Sequence, residues 1–325
     1  MGLFDLFKSK ATNENEGTKD ASAPKVSFEV LRDDGVRAMK MGEVPYAAKC
    51  FTAALEVKDD LTTLSYLAEA HIRMQNYEEA RPALEKLVEA EPNNLTLYLL
   101  LARTLGELKD FSTMKSIAEK AIALDAESAS AKYYSAKASF EMNDPFNAIA
   151  LLTQALQLHE DFADARALRA RVLMSMFQFN DALEDTKFLV ETTPDNEDFL
   201  LQHATTLSAV DHKDEALEYI HKAMEYNPFN QEAVLQAAAL YQETSQYDKA
   251  LEVLNEAIDM QPDFAKAYKM RGGIKLHLKD QVGAAEDLKK SLEIEPELEK
   301  QIGGEFSTLE NKMNDRFKSM NPYGF

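Results

Sequence analysis

Residues 246–264 read QYDKALEVLNEAIDMQPDF, and three other stretches repeat the phrase: NYEEARPALEKLVEAEPNN at 76–94, FNDALEDTKFLVETTPDN at 179–196 and KDEALEYIHKAMEYNPFN at 213–230. Each opens on a polar turn, passes a small residue and runs on with apolar residues at i, i+3, i+4 and i+7. That spacing places the apolar side chains on one face of a helix. Each phrase then reaches a proline, which cannot continue a helix.

Working outward from the small residue gives a column through the whole chain: Ala47, Ala80, Met114, Ala148, Ala182, Ala216, Ala250 and Ala284, with a first interval of 33 residues and six of 34. A second column stands twelve residues earlier and holds only glycine or alanine: Gly35, Ala68, Ala102, Ala136, Ala170, Ala204, Ala238 and Gly272. A third, seven residues after the anchor, reads Ala54, Leu87, Ala121, Ala155, Leu189, Ala223, Ala257 and Ser291. Late in four units comes Pro92, Pro194, Pro228 or Pro262, and Pro296 closes the eighth. Each unit therefore holds two amphipathic helical stretches, well seen at Leu95–Leu108 and Ser112–Leu124. Small residues at fixed places let two helix axes approach closely. One helix pair cannot bury its apolar face alone, whereas a stack of three or more can.

The composition agrees. Of 325 residues, 45% are hydrophobic and only 11 are glycine and 10 proline, enough apolar material for a long core and too few breakers for an all-β fold. The formal charge of -20, from 56 acidic against 36 basic residues, repels nucleic-acid phosphates and anionic headgroups and disfavours a nucleic-acid role. Cys50 is the single cysteine, so no intramolecular disulfide forms; it falls where a helix core is expected, which fits a reducing compartment. No run of 18 apolar residues is present, and MGLFDLFKSK at the start lacks the apolar region and cleavage site of a secretory signal. The cytoplasm is the expected location.

A 34-residue period with small residues at the eighth, twentieth and twenty-seventh places and proline at the thirty-second resembles the tetratricopeptide repeat family, over residues 28 to 296. Met114 at one anchor, the non-proline endings at Asp59, Ala126 and Glu160, and the missing tryptophan at the fourth place depart from the pattern in single units. The resemblance implies an all-α, right-handed superhelical solenoid of eight antiparallel helix pairs.

The ends change character. Residues 1–27 read as a flexible polar tail carrying a short hydrophobic hook, Leu3, Phe4, Leu6 and Phe7 with Lys8 and Lys10. Membrane contact is expected only through residues 1–10. Residues 297–325 are expected to form a capping helix and short tail, with a stripe of Leu298, Ile302, Phe306, Leu309, Met313, Phe317 and Met320. Its distal half, Leu309, Met313, Phe317 and Met320, is a candidate oligomer or partner helix, making the chain a monomer or a homodimer.

Chemistry-bearing motifs are absent from the sequence. The six histidines sit in no HExxH or CxxC context; His203, His212 and His221 are nine apart, which puts successive members on opposite faces of a helix. There is no Gly-rich phosphate loop, no GxSxG elbow and no nucleophile–base pair to nominate. We expect no enzyme activity, no metal and no cofactor.

The family resemblance further implies that the second, fifth, sixth, ninth and twelfth places of each unit line a concave groove. Unit three offers Leu99, Leu100 and Arg103 there; unit four offers Tyr133, Tyr134, Lys137 and Phe140; unit five offers Leu168, Arg171 and Met174. Arg103, Lys137 and Arg171 stand 34 apart and form a ladder of cations. Such a row beside aromatic residues suits a protein or peptide ligand with carboxylates and hydrophobic anchors. The carboxylate clamp of one family subtype does not carry over, since the matching places hold Arg32, Val36, Ser65 and Glu69. The expected function is a non-catalytic protein- or peptide-binding scaffold or adaptor. The alternatives are an assembly subunit oligomerising through the C-terminal helix and a regulatory module recruited by the N-terminal hook.

Overall fold

The computed structural model describes residues 26–298. The hook within residues 1–10, and the candidate helix of Leu309, Met313, Phe317 and Met320, lie outside the described residues. Within them the chain forms sixteen α-helices in eight successive pairs, a short 3-10 turn at Pro296–Leu298, and no strand. The pairs are α1 (Phe28–Lys40) and α2 (Val44–Val57), α3 (Leu61–Arg73) and α4 (Tyr77–Ala90), α5 (Leu95–Glu107) and α6 (Phe111–Leu124), and α7 (Ala129–Glu141) and α8 (Pro145–Leu158). They continue as α9 (Ala163–Ser175) and α10 (Phe179–Thr192), α11 (Glu197–Ala209) and α12 (Lys213–Tyr226), α13 (Gln231–Glu243) and α14 (Tyr247–Met260), and α15 (Ala265–His277) and α16 (Gln281–Ile294).

Helix starts follow from capping chemistry. Asp60, Asp110, Ser128, Asn196 and Asn230 each accept a hydrogen bond from the backbone amide three residues on, satisfying a donor that has no partner inside the helix. The turn inside every pair is built one way. One residue takes a left-handed conformation: Gly42 at φ 80°, then Gln75, Lys109, Asn143, Phe177, Asp211, Ser245 and Lys279 at φ 57–68°. The amide of the next residue donates to a carbonyl five residues back, at 2.7–3.0 Å, from Glu43 to Ala38 through Asp280 to Lys275. This Schellman closure satisfies carbonyls that the helix end would otherwise leave open.

The three small-residue columns are buried throughout. Met114 at the third anchor is accommodated because Gly106 faces it; a side chain on Gly106 would begin 3.4 Å from the Met114 Sδ and Cε. Cys50 is buried as expected, and burial raises its thiol pKa above the ordinary value.

The chain divides into two compact units, Met1–Val172 and Leu173–Phe325. In each, a helix packs mainly on the helices before and after it. Odd-numbered helices of neighbouring pairs also touch, α1 with α3 and α5 with α7 in the first unit, α11 with α13 and α13 with α15 in the second. Among the described residues no two successive even-numbered helices make an equivalent contact. The odd-numbered helices are thus drawn together, and their shared surface is the inner face of each unit's stack.

Candidate functional site

In the first unit, α5 carries Leu99 and Arg103, α7 carries Tyr133, Tyr134, Lys137 and Phe140, and α9 carries Arg171. The structure brings the aromatic members together. Tyr133 and Tyr134 meet edge to face with centroids 5.3 Å apart, and Tyr133 also meets Phe162, just before α9, at 5.2 Å. Ring pairs at these separations stabilise by about 0.5–1.5 kcal/mol beyond area burial. A cavity of about 270 Å³ adjoins them, lined by Ala129, Ser130, His159, Asp161 and Phe162.

Electrostatics ties cations to the phenols. Burial, with Asp164 and Tyr134 adding to it, pushes the Tyr133 pKa up to about 12, and Arg171 acts against the shift. Burial likewise raises Tyr134, opposed by Arg103. Both phenols therefore stay neutral near pH 7 and can donate hydrogen bonds.

The ladder is not uniform. Arg171 stacks over Phe140, its Cζ 5.4 Å from the ring centroid, and its Nη2 lies 3.5 Å from Glu141 Oε1. Lys137 turns toward α5, its Nζ 3.8 Å from where a side chain on Gly106 would begin. Arg103 and Lys137 make no ion pair among the described residues. Leu99, Leu100 and Tyr134 also pack against the core of repeats two to four, and Leu168 is buried. These residues serve stability as well as any surface role.

The structure shows a second concavity that column reading missed. In the second unit a cavity of about 400 Å³ opens on α11 and α13, with Met174, Ile220 and Leu240 among its walls and Glu232 and Glu243 at its margin. The sequence carries a signal for it. The ninth-place column, Arg103, Lys137 and Arg171 in repeats three to five, shrinks to Thr205, Ala239 and Gly273 in repeats six to eight.

The histidines do not converge. His203 is buried with Nδ1 2.9 Å from Thr186 Oγ1, His221 Nε2 lies 2.8 Å from the Tyr241 hydroxyl, and His212 Nδ1 lies 3.6 Å from Glu215. Among the described residues no group of three or more His, Cys, Asp or Glu side chains is placed to hold a metal ion, and no helix is long and apolar enough to cross a membrane.

Three sequence profiles of the tetratricopeptide repeat match the chain, at residues 61–104, 95–128 and 213–272. Those matches fall in both compact units, and the one at 95–128 spans the α5–α6 pair. The chain is a tetratricopeptide repeat protein. Its eight helix pairs are the eight repeats. Among solved structures it is similar to a tetratricopeptide repeat protein from Parabacteroides merdae ATCC 43184, with 14% identity, a TM-score of 0.61, and 82% of this chain and 98% of that one covered. It is also similar to the APC/C hetero-tetramer Cut9–Hcn1, with 16% identity, a TM-score of 0.56, and 84% of this chain and 54% of that one covered. At these identities the likeness is one of fold, an all-α repeat solenoid. No curated protein matches the sequence.

Proposed function

We propose that this tetratricopeptide repeat protein is a non-catalytic scaffold that binds a protein or peptide segment across repeats three to five. The observation that carries the reading is the pair Arg103 and Lys137. In a chain of -20, they make no ion pair among the described residues and stand beside the neutral Tyr133 and Tyr134, on adjacent inner-face helices. Unpaired guanidinium and ammonium groups supply charge-assisted hydrogen bonds to carboxylates. The tyrosines supply rigid apolar area with a polar tip. Packed helices stand about 8–10 Å apart, close to three residues of extended chain at about 3.3 Å each. The expected ligand therefore presents carboxylates at i and i+3 with an aromatic or aliphatic residue between. Arg171, already held by Phe140 and Glu141, extends the site with a preordered guanidinium.

Fluorescence polarisation with a labelled peptide, carboxylates at i and i+3 around a central Phe-Leu, tests the reading. Wild type binds it, and Arg103→Glu/Lys137→Glu/Arg171→Glu weakens binding tenfold or more, with circular dichroism unchanged. Equal binding by both proteins removes the site.

A further inference from the structure

The second unit offers an inner-face site of opposite chemistry. Its cavity of about 400 Å³ lies in the lower part of the range for ligand pockets, roughly 300–1,000 Å³. Small residues open it, Ala204 and Thr205 on α11 and Ala239 on α13, while Ile220 and Leu240 give it an apolar wall. Farther along the same column, a side chain added at Gly273 would meet nothing within 4 Å, so the open strip continues onto α15.

The charges at its margin are acidic. Glu232 and Glu243 stand at the two ends of α13, about 16 Å apart at roughly 1.5 Å rise per residue. Glu232 accepts a hydrogen bond from Gln236 Nε2 at 3.1 Å and has no ion-pair partner among the described residues. Gln236 Oε1 in turn accepts from the Thr205 hydroxyl at 3.4 Å. Glu243 lies 3.7 Å from Lys213 Nζ, but that lysine is shared with Asp211 at 3.6 Å, so this end also remains net negative.

We propose that this cavity is a second peptide site, which takes one apolar side chain of an extended segment whose flanking residues are lysine or arginine. Charge complementarity selects this occupant: an apolar wall needs an apolar anchor, and a carboxylate at each end needs a cation. An extended chain covers about 16 Å in five residues at roughly 3.3 Å each, which sets the cations at i and i+5 with the anchor between them. The site lies in the other compact unit from Arg103 and Lys137 and favours ligands of the opposite sign, so it stands or falls separately from the proposed function.

The test is fluorescence polarisation on the full chain with three labelled decapeptides, each with a central Leu-Phe and with Lys, Gln or Glu at both i and i+5. The lysine peptide is expected to bind at least tenfold tighter than the other two. Glu232→Gln/Glu243→Gln, which leaves the chain strongly acidic, is expected to erase that preference, separating local from overall charge. Thr205→Phe, filling the cavity from an exposed position, is expected to abolish binding of the lysine peptide. Arg103→Glu/Lys137→Glu/Arg171→Glu is expected to leave it unchanged. No binding, equal binding of the three peptides, or an undiminished lysine preference in the double glutamine variant would overturn the proposal.

Discussion

Gly35 on α1 and Phe51 on α2 divide one space: a methyl group added at Gly35 would stand 2.5 Å from Phe51 Cε1, and Phe51 is 0% exposed. Six other repeats carry alanine at the place of Gly35, and none of them has an aromatic at the place of Phe51; Leu84, Leu152 and Leu254 hold it in three. The first repeat has exchanged a small–medium pair for an empty–large one.

That exchange predicts a double-mutant result. Gly35→Ala should destabilise by about 1–3 kcal/mol through overpacking, although alanine is the better helix former. Gly35→Ala/Phe51→Leu restores the pairing of the other repeats and should recover most of the loss. Urea unfolding of the two variants and of Phe51→Leu measures the coupling, and additive effects would show that the two side chains do not share the space.

Asp287 on α16, 4% exposed, anchors an enclosed charge network. Its carboxylate takes hydrogen bonds from Arg271 Nη2 and Nε at 2.6 and 2.9 Å, and its Oδ2 lies 2.8 Å from Lys275 Nζ. Burial pushes its pKa up, but the hydrogen bonds from Arg271 and then Lys275 outweigh it and hold the group below the ordinary carboxylate value. A lowered folded pKa means stability fully present above the unfolded value, about 4, and lost as pH falls through the folded value. Asp287→Asn should cost about 3–5 kcal/mol at neutral pH by stranding Arg271. It should also flatten the acid limb of a stability–pH profile read by hydrogen exchange in α15 and α16.

His203 on α11 works in a higher pH window. It is 3% exposed, hydrogen-bonded to Thr186 and edge-on to Tyr219 with centroids 4.6 Å apart. Burial lowers its pKa, so the folded chain resists the proton that the unfolded chain accepts near pH 6.5. Stability of α11 and its neighbours should therefore decline as pH falls below about 6.5. His203→Leu should lose this dependence in hydrogen exchange of α11, while α3, where half-buried His71 is shifted the same way, keeps it.

Phe177 holds the left-handed turn position of repeat five at φ 61° and is 80% exposed, touching Phe179 edge to face at 5.9 Å. A left-handed conformation costs a non-glycine residue about 1–2 kcal/mol, against about 0.5–1 kcal/mol for glycine's extra chain entropy. Phe177→Gly should raise stability by a few tenths to about 1 kcal/mol, and Phe177→Val should lower it. Thermal unfolding of the two variants decides the sign.

The repeat was legible because it is written in spacing. A residue that must be small to let two helices meet recurs at the same place in every unit, so Gly35 through Gly272 marks the helix pairs and their buried faces. Arg103, Lys137 and Arg171 were equally visible as a column, but their different pairing was not. Whether a cation is free depends on Phe140 and Glu141 reaching it from another helix, and sequence spacing does not record that reach. The left-handed turns escaped for a related reason. Only Gly42 announces one; at Gln75, Lys109 and Phe177 the flanking helix pair, packed on both sides, imposes a conformation that the residue itself disfavours. Periodicity by itself determined which residues are helical and which face is buried. The tertiary structure alone decided which side chains share a space, as Gly35 and Phe51 do, and where small side chains from two helices leave one open between Thr205 and Ala239, because both are sums of shapes from segments that are distant in the chain.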